Sequence, residues 1–427
     1  MQIHTVKKGD SLWELSQKYG VPLEHIYAAN SFTAQSPLVI GQAVIIPSPG
    51  DGLTHKVLAG ESLWKIGQRY GVSIAQLVEA NGLTNPAMIM PGQLLTIPKA
   101  AKPVIEVNAY TEKLGANGIE IVGEIGDYLT YLSPFSYRVQ MNGSLTPLDD
   151  SAIINAAYSK RVAPMMVITN FENGTFNPDI AHSVLADPGN QSALIANIEG
   201  VMREKGYLAL NVDFEYVPPA DRELYNAFLE RLVETLHPYN LKVSTALAPK
   251  LSAEQTGTLY EAHDYAAHGR IVDFVILMTY EWGWSGGPPR AVAPLNEVVK
   301  VLNFALSVMP SDKIVMGMPL YGYDWTLPYV QGGRWAPTVS PYEAVNRAAK
   351  YGAEIRYDEE AQSPYYHYYD EEGKEHIVWY EDARSVQAKF DIVKAFKLRG
   401  VSYWVLGVNF PQNWFVLGEN FTIKKLV

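Results

Sequence analysis

Cysteine is missing from the 427 residues. This excludes disulfides, thiol nucleophiles and cysteine-based metal sites. Basic residues are in short supply: 34 Lys and Arg face 45 Asp and Glu, a formal charge of −11. Nucleic acid is held by neutralising its phosphates, so it is not an expected partner. No uninterrupted apolar run reaches the ~18 residues that span a bilayer, and no membrane partner is expected. No secretory signal is read at Met1-Gln2-Ile3-His4, which leads directly into patterned sequence. Histidines number nine. His263 and His268 lie five apart rather than the four of a zinc-binding helix, so they are expected on a solvated helix face. Neither a metal nor a cofactor is expected.

The chain is 48% hydrophobic, with 27 Tyr, 13 Phe and 9 Trp. That composition fills large cores and also supplies flat faces that stack on sugar rings. The length calls for two or three domains. The first 98 residues are close to neutral, and the acidic excess sits in the remainder.

Residues 1–98 contain one unit twice. Gly9, Ser11, Leu12, Trp13, Tyr19, Gly20, Val21, Asn30, Gly41, Gln42 and Pro47 recur 51 positions later, without insertion. Each copy reads strand, helix, helix, strand. Ser11 and Ser62 are candidate helix starts, and Leu12, Leu15 and Tyr19, like Leu63, Ile66 and Tyr70, follow helical spacing. The segments "KKGDSLWELSQKYG" and "LAGESLWKIGQRYG", then "GQAVIIP" and "GQLLTIP", resemble the LysM module. The resemblance implies two small βααβ domains, 1–48 and 54–98, that bind N-acetylglucosamine-containing glycans, peptidoglycan or chitin. Pro49–Gly52 and Lys99–Pro103 read as short linkers.

From about residue 103, short apolar runs alternate with longer amphipathic stretches. Eight such runs, from Val104–Ala109 to Val401–Leu406, predict a (β/α)8 TIM barrel over 103–427. A polar, Tyr-rich stretch at about 330–385, including "SPYYHYYDEEGKEHIVWY", predicts an α+β insertion between strands 7 and 8. In such barrels chemistry sits where strands end at the C-terminal face. The fourth run ends Asn211-Val212-Asp213-Phe214-Glu215. Strand alternation puts Asn211, Asp213 and Glu215 on one face. Two neighbouring acids raise at least one carboxyl pKa, leaving a proton donor near neutral pH. Other strand ends carry Tyr110, Asn170, Tyr280-Glu281, Trp325 and Trp404, an aromatic and polar ring suited to sugars.

These segments resemble glycoside hydrolase family 18. Its fourth strand carries Asp-Gly-x-Asp-x-Asp-x-Glu, where this chain has Leu208-Ala209-Leu210-Asn211-Val212-Asp213-Phe214-Glu215. "LMTYEWG", "GMPLYGYDW" and "GVSYWVLG" match in order. "TALAPK" and "WYEDARSVQAKF", with the LysM pair, are similar to the spore-associated SleL/YaaH-type cortex-lytic N-acetylglucosaminidases. The resemblance implies a hydrolase that cleaves after N-acetylglucosamine in spore-cortex peptidoglycan fragments during germination. The mechanism implied is retaining and assisted by the substrate's own acetamido group. Glu215 would be the acid and base, and Asp213 would orient the acetamido N–H. Tyr280 would hold its oxygen, and Trp404 would floor the sugar. Asn211, Glu281, Tyr110, Asn170 and Trp325 are the further candidate substrate contacts. Asn211 and Glu281 depart from the family's usual acids, and Leu208 and Ala209 depart from a polar pair. The location implied by the resemblance is the spore, at the cortex and coat; without the resemblance the residues read equally as a cytoplasmic protein. Two alternatives stay open: a chitinase or endo-N-acetylglucosaminidase on other glycans, and a glycan-binding protein with an inactive barrel.

Overall fold

A computed structural model describes residues 1–48, 53–70, 72–98 and 102–427. The expected linker Pro49–Gly52, residues 99–101 of the expected linker Lys99–Pro103, and the repeated Gly71 lie outside the described residues. The chain forms two compact units, one of Met1–Leu38 and Ala43–Pro103, the other of Val104–Val427 with Val39–Gln42.

The first unit holds the repeat. Its first copy has a strand (Gln2–Thr5), helices at Leu12–Tyr19 and Leu23–Asn30, and a strand (Ala43–Ile46) antiparallel to the first. The second copy has Leu53–Lys56, Leu63–Tyr70, Ile74–Ala80 and Leu94–Ile97. Ser11 caps the first helix in a reciprocal capping box with Glu14, which satisfies otherwise orphaned N–H groups.

The repeated Asn has a structural reason. Asn30 Nδ2 donates to the Ile26 and Ile45 carbonyls at 2.8 and 2.7 Å, and its Oδ1 accepts from Ile45 N at 2.8 Å. Asn81 does the same with Leu77 and Thr96. Each Asn ties the second helix to the closing strand. Each copy buries a small apolar core, Leu15, Ile26 and Val44 in one, Ile66, Leu77 and Leu95 in the other.

The second unit is a closed barrel of eight parallel strands: Val104–Thr111, Tyr131–Pro134, Ala163–Thr169, Ala209–Asp213, Lys242–Leu247, Phe274–Leu277, Ile314–Pro319 and Gly400–Trp404. Each pairs in parallel with its neighbour, and the eighth returns to the first. Helices follow every strand, the longest at Pro188–Lys205, Arg222–Leu236, Leu295–Val308 and Ala383–Phe396. Alternation is visible on the fourth strand. Ala209 joins an inner layer with Tyr131, Met165, Phe274 and Ile276, and the intervening Leu210 and Val212 are fully buried.

Between strands seven and eight, five strands form a separate antiparallel sheet in the order Thr338–Val339, Gly322–Thr326, Glu375–Trp379, Ser363–Tyr369, Arg356–Asp358. Helix Pro341–Tyr351 packs on it through Ala344 and Ala348. This inserted sheet begins at Gly322, earlier than the sequence pattern suggests. Tyr321-Gly322-Tyr323-Asp324-Trp325 reads as a continuation of the seventh strand, yet it pairs with Trp379 to His376 instead.

Candidate active site

At the C-terminal ends of the strands lies a cleft of about 600 Å³. Its lining comes from nearly every strand end: Tyr110, Phe135, Phe171, Asp213, Glu215, Ala246, Met278, Tyr280, Tyr321 and Trp404 among others. The fourth strand stops at Asp213, so Glu215 sits just past the strand, where backbone hydrogen bonds must come from elsewhere. Asn170, at the end of the third strand, supplies them. Its Oδ1 accepts from Glu215 N at 3.0 Å, and its Nδ2 donates to the Glu215 carbonyl at 2.8 Å and the Asn177 carbonyl at 2.9 Å.

His263 holds the intervening residue. Its Nε2 lies 2.9 Å from the Phe214 carbonyl, which can only accept, and its Nδ1 accepts from Ala248 N at 2.9 Å. The ring is therefore the neutral Nε2–H form. Burial pushes it down to about 4, and pushes the neighbouring His268 to about 3. The expectation of a solvated helix face for this pair is thus corrected. Both are buried, and His263 precedes the helix Tyr265–Ile271 rather than lying on it. The spacing described a helix surface, but the segment packs against the chain just past the fourth strand, at the Phe214 carbonyl.

Asp213 is 5% exposed, and its Oδ1 has no hydrogen-bond partner among the described residues. Burial pushes its carboxyl up to about 7. Burial also holds Glu215 well above the usual carboxyl range, with the charges of Asp213 and Glu281 adding to it. Two desolvated carboxyls that repel each other retain protons that isolated carboxyls would lose at neutral pH. Tyr280 lines the same cleft, and burial with the nearby acids pushes its phenol well up, keeping it a neutral donor.

Glu281 lies at the rim with φ +67° and accepts from the hydroxyls of Tyr321 and, at 3.0 Å, Tyr323. Partial desolvation by the surrounding loops pushes its carboxyl up although the residue remains exposed. Trp404 packs edge-on to Phe135, ring centroids 4.8 Å apart, with Tyr110 5.6 Å away.

Three expected substrate contacts do not line the cleft. Asn211 is fully buried below it, donating to the Tyr110 hydroxyl at 3.0 Å and accepting from Ser244 Oγ at 3.0 Å. Asn170 serves the backbone of Glu215. Trp325 is 2% exposed, and its indole N–H donates to the Gly287 carbonyl at 2.9 Å. It packs behind the cleft wall with Val292, Tyr321, Tyr323 and Ala336; Tyr323, two residues earlier on the same strand, is the one that lines the cleft. Sequence reasoning missed His263 and Arg138. Phe135, in the aromatic segment that follows the second strand, is in the cleft lining. Among the described residues no group of three or more His, Asp or Glu is placed to hold a metal, and no helix is long and apolar enough to cross a membrane.

The family model for glycosyl hydrolases family 18 matches residues 163–408, and the LysM domain model matches 4–47 and 55–98. The chain is 44% identical over 429 residues to the cortical fragment-lytic enzyme of Bacillus subtilis, covering 100% of this chain and 99% of the relative. Among solved structures, it resembles the spore cortex-lytic enzyme SleL of Bacillus megaterium, with a TM-score of 0.88 and 42% identity, covering 100% and 99% of the two chains. A chitinase from Chromobacterium violaceum superposes with a TM-score of 0.68 at 26% identity, over 74% of this chain and 98% of its own. With a closed barrel, buried carboxyls in an aromatic cleft and these matches, the chain is a glycosidase belonging to glycosyl hydrolases family 18, with two LysM domains ahead of its barrel.

Proposed function

We propose that this protein hydrolyses the glycosidic bond after N-acetylglucosamine in fragments of spore-cortex peptidoglycan, in the spore, during germination. The observation that carries this reading is the end-to-end 44% match to proteins named as cortical fragment-lytic enzymes. LysM modules at 1–48 and 54–98 hold the glycan, and the barrel at 103–427 cuts it.

Glu215, kept protonated by burial and by its acidic neighbours, donates its proton to the leaving glycosidic oxygen. The sugar's acetamido oxygen attacks the anomeric carbon from the opposite face, giving an oxazolinium ion. Asp213 accepts from the acetamido N–H, orienting it and stabilising the positive charge that develops. Its partnerless Oδ1 supports this role. The Tyr280 hydroxyl donates to the acetamido oxygen, and Trp404 lies under the sugar. Glu215 then takes a proton from water, which opens the oxazolinium with net retention. The sequence departure at Asn211 leaves a neutral amide, bonded to Tyr110 and Ser244, two residues before Asp213. Glu281 returns an acid to the site from the loop after the sixth strand.

The test is a matched pair of substrates, one N-acetylated and one de-N-acetylated at the cleaved sugar. Hydrolysis of the first alone, with the β-anomer as first product by proton NMR, is expected. Equal hydrolysis of both, or an α-anomer first, contradicts the mechanism.

A further inference from the structure

Cleavage chemistry explains the acids of the cleft but leaves one cation unexplained. Arg138 is the sole basic side chain among the lining residues, and no ion pair or side-chain hydrogen bond links it to another described residue. Its direction is fixed by what surrounds it. Tyr137–Arg138 is a short strand added beside the third barrel strand, Tyr137 opposite Ile168 and Arg138 opposite Thr169. Tyr137 is buried, donating to Asp150 at 2.5 Å and accepting from Lys205 Nζ at 2.8 Å. Alternation along a strand turns the next side chain the other way, toward the cleft. There the guanidinium lies 5.6 Å from the centre of the Phe171 ring. Phe171 is itself wedged edge-on against Phe176 at 5.2 Å. A cation stacked on an aromatic face is held in place with its donors free.

The other carboxyl or cationic side chains of the lining are all acidic, Asp213, Glu215, Glu281 and Glu112, among aromatic and apolar neighbours, within a chain of charge −11. Such a lining offers an anionic glycan no other positive charge, whereas a neutral chitin chain needs no cation at all. We infer that Arg138 is a specificity residue that takes a carboxylate carried by a muramoyl sugar next to the cleaved N-acetylglucosamine. The guanidinium's paired donors match a carboxylate in two parallel hydrogen bonds. This inference rests on the peptidoglycan reading above and deepens it.

The experiment uses the full chain, wild type, Arg138→Gln and Arg138→Lys. Three probes are compared: a muramoyl-containing cortex fragment with free carboxylates, the same fragment with its carboxylates amidated, and chitotetraose. The readout is the ratio of kcat/KM on the free-acid fragment to that on the amidated one. In Arg138→Gln this ratio is expected to fall about tenfold, mostly through KM, as for loss of one charge-assisted contact partly open to water. Arg138→Lys should fall less, and added salt should narrow the wild-type ratio. An unchanged ratio in Arg138→Gln overturns the inference, whether all three rates drop together or none does. If the wild type cuts chitotetraose but neither muramoyl fragment, the peptidoglycan reading itself fails, a result distinct from an unchanged ratio.

Discussion

Replacing Asn170 by Ala tests whether the backbone around Glu215 is held from the third strand. Asn170 is fully buried and makes three hydrogen bonds, two to the Glu215 main chain and one to the Asn177 carbonyl. Ala keeps none of them and leaves three backbone groups short of partners. At about 1 kcal/mol net for each bond, the fold should lose about 3 kcal/mol, a fall of roughly 4 °C in the melting temperature of a domain this large. The kinetic effect should be larger than the stability effect suggests. A reacting group displaced by ~1 Å can lose on the order of 10²-fold in rate, and Glu215 has no strand pairing of its own to restrain it. The assay is kcat and KM on cortex fragments well below the melting transition, alongside a calorimetric scan. A kcat reduced about 100-fold with KM within threefold is expected. A variant that melts earlier but retains kcat within threefold would refute the claim that Asn170 positions the acid.

Three further outcomes follow from the site. Glu281→Gln removes a charge that helps hold Glu215 high, so the alkaline limb of the kcat/KM profile should move toward acid; an unmoved limb, or one moved the other way, contradicts this. Stability against pH has opposing contributions between about pH 4.5 and 6.5. His263 and His268, with folded pKa values below the unfolded one, are protonated only when unfolded, and each makes stability rise with pH by about 1.4 kcal/mol per unit. Asp213 and Glu215, with folded values above the unfolded ones, keep protons that the unfolded chain releases, and each makes it fall by as much. The double variant Asp213→Asn, Glu215→Gln should therefore lose melting temperature more steeply than the wild type on acidification from pH 6.5 to 4.5; parallel curves would refute the assignment. Trp325→Phe should cost about 1–2 kcal/mol through the lost indole hydrogen bond and packing, with kcat and KM unchanged, whereas Trp404→Ala should lower kcat/KM at least tenfold. A kinetic defect in Trp325→Phe would return that residue to the cleft.

The repeat and the barrel were legible because both rest on periodicity. A 51-residue spacing and eight apolar runs survive any local ambiguity. Asp213 was legible for the same reason, since it closes the fourth strand at the barrel's C-terminal face, whereas Glu215 lies past that strand and reaches the cleft through the hold of Asn170 on its backbone. Trp325 was misplaced because Tyr321–Trp325 has the apolar look of a barrel strand, and only its partner, the strand Glu375–Trp379, reveals the inserted sheet. Asn170 and Asn211 were found as polar strand-end residues, but whether an amide meets substrate or a neighbouring main chain depends on atoms far away in sequence. The depth of His263 and His268 escaped for a related reason: five-residue spacing says which side a residue faces and nothing about what covers it. Arg138, a lone cation in "FSYRVQ", gained meaning only when it proved to share the cleft lining with four acids.

Mass spectrometry of spore-cortex fragments, incubated with the wild type and with Glu215→Gln, tests the central claim most directly. New fragments ending in reducing N-acetylglucosamine should form with the wild type and be reduced by several orders of magnitude with the variant, which should still bind the glycan. Equal cleavage by both proteins would remove Glu215 from the chemistry, and reducing ends on muramoyl sugars instead would contradict the assigned bond.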